Sequence, residues 1–185
     1  MKKRAEFTLV ELMVVVLIIS VLAALGFAGY SYANTYARES STRSLIKQIE
    51  AGFESINTKL GYYPAASGFN TITVTFNDGE VTSIKIGSAE LPAEARKEFL
   101  RVIDGESLRE SPDISTATVS DSWGGPIYYR NDGSNFNKSK FDIFSAGPDG
   151  KFGKNNSDDL DDVDDERGSF LNGSEWGCDD IANFE

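Results

Sequence analysis

The sequence predicts an α+β fold in which one long N-terminal α-helix packs its second half on a small antiparallel β-sheet. Three observations predict it. Leu12 to Gly29 is a run of eighteen residues without a charge, and the next charge after it is Arg38. Leu45, Ile49, Phe53, Ile56 and Leu60 then recur at intervals of 4, 4, 3 and 4, which sets them on one helical face. Beyond Pro64 the apolar pattern changes to period two in Thr71 to Phe76 and Val81 to Ile86, and two further strands read after Pro126 and at Phe141 to Ser145.

The charge-free run has no polar face. As an α-helix its eighteen residues span about 27 Å, close to the hydrocarbon thickness of a bilayer. A helix that is apolar all round belongs in lipid or inside a bundle. Lys2, Lys3 and Arg4 precede it, so the positive-inside tendency holds the N-terminus in the cytoplasm and sends everything after Gly29 across. A cleaved secretory signal shares the basic start and the apolar stretch, with Ala23-Ala24 or Gly26-Phe27-Ala28 as cut sites. Two features oppose that reading. Glu11 sits at the mouth of the run, where a plain signal gains nothing from a carboxylate. The helical pattern also continues past the cut sites: Tyr30 to Arg43 is polar but has no proline. One helix from about Leu9 to Leu60 is therefore expected, with Gly26 and Gly29 as its places to bend, Gly61 as C-cap and Pro64 as the stop.

Glu11 has its own physical argument. A carboxylate in or near hydrocarbon is costly unless paired, so its presence points to an assembly role, against the plainer reading of a side chain that reaches the headgroups.

In the remainder, Asn77-Asp78-Gly79-Glu80 reads as the turn of a hairpin over 71–86. Ala93 to Ile103 reads as a short helix, opened by Pro92, followed by Gly105 and burying Phe99, Leu100 and Ile103. Trp123-Gly124-Gly125-Pro126 is a turn leading into a strand, Asn131 to Lys140 a connecting loop, and Phe141 to Ser145 the next strand.

Composition narrows the chemistry. There is no histidine, which removes a Ser-His-Asp triad, a His-dependent zinc site and imidazole acid–base work. Cys178 is the single cysteine, so no internal disulfide forms. The net charge is -11, and from Asp158 to Glu185 eleven acidic residues face the lone Arg167. That surface repels phosphates, and no nucleic acid partner is expected. An anchored hydrolase fails for want of a nucleophile–base set, so no enzymatic activity is expected. Seven carboxylates in nine residues, from Asp158 to Glu166, call for a hard cation if the loop folds tightly, and Ca²⁺ with its six to eight oxygen ligands suits an irregular loop better than Mg²⁺. The run is no EF-hand, because Asp-Asp-Leu-Asp-Asp-Val lacks the glycine of loop position six. A solvated acidic segment is the alternative.

Phe7-Thr8-Leu9-Val10-Glu11 and the apolar run resemble the class III signal of type IV pilins and type II secretion pseudopilins. The resemblance implies a pilin-like fold, with a leader over 1–6, a transmembrane half of the helix over 7–30, its periplasmic half over 31–61 and a β-rich head with a C-terminal acidic loop over 62–185. It implies that a prepilin peptidase cuts before Phe7 and methylates the new amine. It also implies that the Glu11 carboxylate pairs with the N-terminal amine of a neighbouring subunit. Glu6 stands where such leaders usually end in glycine, and Ala28 where many relatives carry proline.

Tyr62-Tyr63-Pro64 is similar to the Tyr-Pro that follows the long helix in major pseudopilins. Asp121-Ser122-Trp123-Gly124-Gly125-Pro126, Asp142 to Gly150 and Asp179-Asp180-Ile181 resemble three of their head segments. The region from 71 to about 115 has no counterpart in that pattern. What the resemblance adds is a structural Ca²⁺ held by Asp149, Asp179 and Asp180 with loop carbonyls, Asp158 and Asp159 being the next ligands. It further implies a homo-oligomeric filament, a short periplasmic pseudopilus that helps export folded proteins. Its partners would be minor pseudopilins, an inner-membrane assembly platform and the peptidase. The alternatives are a type IV pilin for adhesion, motility or DNA uptake, and a monomeric membrane-anchored calcium-binding module.

Overall fold

The computed structural model describes residues 9–109, 111–133, 136–137, 139–151 and 181–183. It is α+β, as the sequence predicts. Helix α1 runs over Leu9–Leu60, and the chain divides into two compact units, Met1–Ala37 and Arg38–Glu185.

In the first unit the large apolar side chains stand in the open on every side of the helix, from Phe27 at 77% exposure to Val15 at 50%. The hydroxyls of Ser20 and Thr35 donate back to the carbonyls of Val16 and Ser31 at 2.7 and 3.1 Å, so these polar groups are satisfied within the helix. This is the composition of a segment whose solvent is not water.

The second unit begins where α1 becomes one-faced. Ile46, Ile49, Phe53 and Ile56 are buried, with Leu45 and Leu60 half-buried beside them. The stripe thus runs through Ile46, whereas the sequence pattern suggests Leu45. At about 100° per residue, Leu45 lies roughly 60° from the middle of that stripe and Ile46 roughly 40°. Gly61, at φ 79°, closes α1 by donating its N–H to the Asn57 carbonyl at 2.8 Å.

Strand β1 (Ala66–Asn77) is the spine of the sheet. One edge pairs with β2 (Glu80–Ile86) through the two-residue turn Asp78-Gly79, both at positive φ (50° and 83°), which is the geometry a tight hairpin requires. The other edge of β1 carries two strands end to end: β4 (Thr116–Thr118) along Thr73 to Thr75, and β5 (Ile127–Asn131) along Ala66 to Thr71. The chain leaves the sheet between them and returns. β3 (Ala89–Glu90) extends the β2 edge, and β6 (Asp142–Ser145) and β7 (Ile181–Ala182) extend the β5 edge, every pair being antiparallel.

Ile72, Val74, Ile84, Ile127, Tyr129 and Ile143 line the main core with the stripe of α1. Phe53 is its centre, with the rings of Phe99, Tyr129 and Phe141 at 5.0, 4.6 and 5.3 Å. The buried Tyr129 hydroxyl donates to the Pro64 carbonyl at 2.7 Å, and burial pushes its ionisation well above the ordinary phenol range.

Helix α2 spans Ala93–Leu100, shorter than the 93–103 expected, and Pro92 caps it instead of occupying its first turn. The amides of Arg101 and Val102 bond to carbonyls three residues back, tightening the last turn, and Ile103 stays buried beyond the helix. The close approach of this segment explains Gly52. A Cβ there would lie 2.7 Å from the Phe99 ring and 2.8 Å from Ile103 Cδ1. Gly52→Val should therefore destabilise the protein by about 1–3 kcal/mol through overpacking. An unchanged thermal midpoint of the full chain in detergent would contradict this packing.

Candidate functional site

Two features of the chain bear on function: the open apolar surface of α1 and a clasp that joins the sequence motifs of the head. Of the residues expected at the N-terminal signal, Glu11 lies in the first turn of α1, where a carboxylate complements the positive end of the helix dipole. Glu6 and Phe7 lie outside the described residues.

The clasp is built from the excursion between β4 and β5. Asp121, only 6% exposed, turns its carboxylate inward: Oδ1 accepts the amides of Trp123 and Gly125 at 2.8 and 2.9 Å. This short acidic residue followed by two glycines closes a turn on its own backbone. Gly124 adopts φ 90°, and a Cβ on Gly125 would sit 3.0 Å from Asp121 Oδ2. That second oxygen accepts the hydroxyl of Ser145 at 2.5 Å, and Ser145 Oγ in turn accepts the Gly147 amide at 3.1 Å. The buried Thr42 hydroxyl accepts the Ser122 amide at 3.1 Å, and Arg38 donates to the Ser122 carbonyl at 3.0 Å, so the same turn is fastened to α1. Because Ser145 also pairs with Ile181, the Asp121 turn and β7 both meet the chain at the end of β6.

A second buried polar group holds the loop before β6. Arg130 and Asp142 face each other across β5 and β6, at 1% and 0% side-chain exposure, with Nη2 and Nε at 3.0 and 3.3 Å from Asp142 Oδ2. The amides of Phe136 and Asn137 donate to the same carboxylate at 2.7 and 2.9 Å. The guanidinium lies over the rings of Phe69 and Phe136 at 4.1 and 4.7 Å. Desolvating an ion pair is costly, and here charge-assisted hydrogen bonds and cation–π contacts offset that cost. Lys140, near the end of the loop, reaches Glu54 and Glu50 of α1, and its hydrogen bond to Glu54 raises its ionisation above the ordinary lysine value.

Sequence reasoning did not assign roles to Asp121, Arg130 or Asp142. The signals were an acid heading a Gly-Gly turn and a lone Asp inside Phe-Asp-Ile-Phe, an apolar strand where a bare charge would be untenable. Of the expected metal ligands, Asp149 is exposed in the turn after β6, where its Oδ1 accepts the Lys151 amide at 2.9 Å. Asp158, Asp159, Asp179 and Asp180 lie outside the described residues. Among the described residues, no three of His, Cys, Asp and Glu converge on a metal-sized site.

Residues 1–27 match the prokaryotic N-terminal methylation motif. Residues 102–163 match type II secretion system protein G, a segment that includes the Asp121 turn, β5, β6 and Asp149. No curated protein and no solved structure matches the chain.

Removing one half of the buried pair leaves the other charge stranded. Asp142→Ala should cost about 3–5 kcal/mol. The double variant Arg130→Met/Asp142→Leu should recover part of that and stay about 1–3 kcal/mol below the parent, because the amides of Phe136 and Asn137 lose their acceptor. Chemical denaturation of the three proteins measures both differences, and equal stability of Asp142→Ala and parent would refute the stabilising role of the buried Arg130–Asp142 pair.

Proposed function

The chain is a prepilin of the type II secretion pseudopilin class, and on that premise we propose that its subunits stack through α1 into a short periplasmic pseudopilus that helps to move folded proteins outward. It is a structural subunit, anchored in the inner membrane by its N-terminal helix with the head in the periplasm. The observation that carries the filament reading is the exposed, charge-free stretch of α1, which begins inside the matched methylation motif and runs on past it. Such a surface is stable in lipid and equally stable against copies of itself, so one segment serves storage in the membrane and assembly out of it.

In this reading the peptidase removes Met1 to Glu6, Phe7 becomes the methylated first residue, and Glu11 pairs with the amine of the next subunit. A lengthwise offset between neighbouring helices brings that amine to the carboxylate, and the low dielectric around it makes pairing strongly favoured over isolation. Minor pseudopilins and an inner-membrane platform would start and drive the polymer. Mass spectrometry of protein from the membrane should find a methylated Phe7 N-terminus. Glu11→Ala should leave processing intact and abolish cross-links between helices; efficient cross-linking of that variant would exclude the pairing.

Calcium belongs to the same proposal. Asp149, Asp179 and Asp180 would hold it, with Asp158 and Asp159 as further ligands, and these are the hard oxygen donors the ion requires. The pairing of Ser145 with Ile181 supports this, since it returns the chain at Ile181 to the end of β6, four residues before Asp149. The ion would fix the C-terminal segment to the head. The thermal midpoint of the full chain should rise with calcium and fall with chelator, and an unchanged midpoint would remove the ion from the account.

A further inference from the structure

We propose that Tyr30, Tyr32 and Tyr36 form a girdle that seats α1 in the lipid headgroup layer on the side of the membrane from which the chain continues to Arg38. This rests on reading α1 as the membrane anchor and adds what sets its depth.

The three rings are 72%, 77% and 65% exposed, and they crowd into seven residues immediately after the charge-free run. Helical rise places them about 27–36 Å along the axis from Leu12. A hydrocarbon core is ~30 Å thick, and ~40–45 Å with its headgroup layers. The rings therefore straddle one boundary of the hydrocarbon when Leu12 lies at the other. A phenol suits that boundary, with an apolar ring and a hydroxyl that donates to phosphate and ester oxygens and exchanges hydrogen bonds with water. Arg38, the first charge after Glu11, comes at the point where the compact head begins.

The angular distribution favours lipid over a second copy of the chain. Tyr32 and Tyr36 are four residues apart and share a face, whereas Tyr30 stands about 120–160° around the helix from them. One neighbouring helix engages one face. A headgroup layer surrounds the helix and meets all three rings at once. The hydroxyl of Thr35, in the same turns, is already committed to the Ser31 carbonyl.

The test uses the full chain in vesicles of phosphatidylethanolamine and phosphatidylglycerol. A spin label at Leu22→Cys, in a Cys178→Ser background, reports depth through its relative accessibility to oxygen and to a nickel chelate. With the tyrosines present the label should sit within the hydrocarbon. Tyr30→Ala/Tyr32→Ala/Tyr36→Ala should move it by about one helical turn, ~5 Å, and the three Tyr→Trp replacements should restore its place. An unmoved label in the triple alanine protein overturns the girdle. So does an unmoved label accompanied by tyrosine-dependent cross-links between copies, which would assign the rings to helix–helix contact. Flotation of the parent protein with the vesicles separates the two layers of the argument. A parent that fails to float overturns the anchor and the girdle together, whereas a floating parent with an unmoved label overturns the girdle alone.

Discussion

Everything in this molecule follows from the solvation of one helix. Between Glu11 and Arg38 there is no charge, and the large side chains of that stretch are turned outward on all sides. In water such a surface would drive collapse or aggregation, at about 25 cal/mol for each Å² left exposed. In hydrocarbon it is at rest, because the helical backbone satisfies its own polar groups and Ser20 and Thr35 bond back within it. The same reasoning makes Glu11 expensive in isolation and informative. A carboxylate at the start of a segment built for lipid is tolerable when the helix dipole, the interface or a partner's amine meets it.

The head answers a different constraint. From Arg38 the helix presents one apolar stripe and remains wet on its other sides, so it covers one face of the sheet, while Phe69, Phe136 and Phe144 form a second buried cluster apart from that core. Phe53 organises that contact, and Gly52 beside it lets the Phe99 and Ile103 side chains come within van der Waals distance of the backbone. The long strand β1 then does what two shorter strands could not. By pairing with β5 at its beginning and β4 further along, with Val119 still donating to the Ile72 carbonyl, it lets residues 120–126 leave the sheet as a loop closed at its base by the Ser120–Pro126 bridge. The Asp121 turn is therefore held by the sheet at both ends and by Thr42 and Arg38 of α1 from the side.

How much of this was legible depends on the range of the interactions involved. The apolar run, the helical stripe and the Asp78-Gly79 hairpin rest on contacts within a few residues, and local pattern sufficed. The first half of β1 was missed because Ala66-Ser67-Gly68-Phe69-Asn70 does not alternate, and its strand character comes from pairing with β5, more than fifty residues away. β4, at three residues, is too short to carry a period. The segment from 71 to 115, unassigned by resemblance, supplies the spine of the sheet and the helix that packs on Gly52. In the head motifs the turn residues were readable, but the bond from Ser145 to Asp121 and the pairing of Arg130 with Asp142 were not. Those depend on strand register, which composition does not encode.

The buried polar groups also explain why a structural subunit would carry such costly features. A head held together by apolar packing alone would tolerate small slips between the helix and the sheet, since Ile, Val and Leu contacts are forgiving of exchange. Asp121 is not forgiving. Its two oxygens are matched to three donors on two chain segments, and a one-residue slip of β6 would carry Ser145 to the other face of the sheet and leave a desolvated carboxylate short of a partner. Arg130 and Asp142 impose the same demand one strand over. Together they fix the register of β5 against β6, and with it the point at which β7 returns to the sheet. A filament repeats one subunit geometry many times, so an error in one head would recur at every contact it makes. Polar matching inside the head suppresses that error at its source, which apolar bulk by itself does not do.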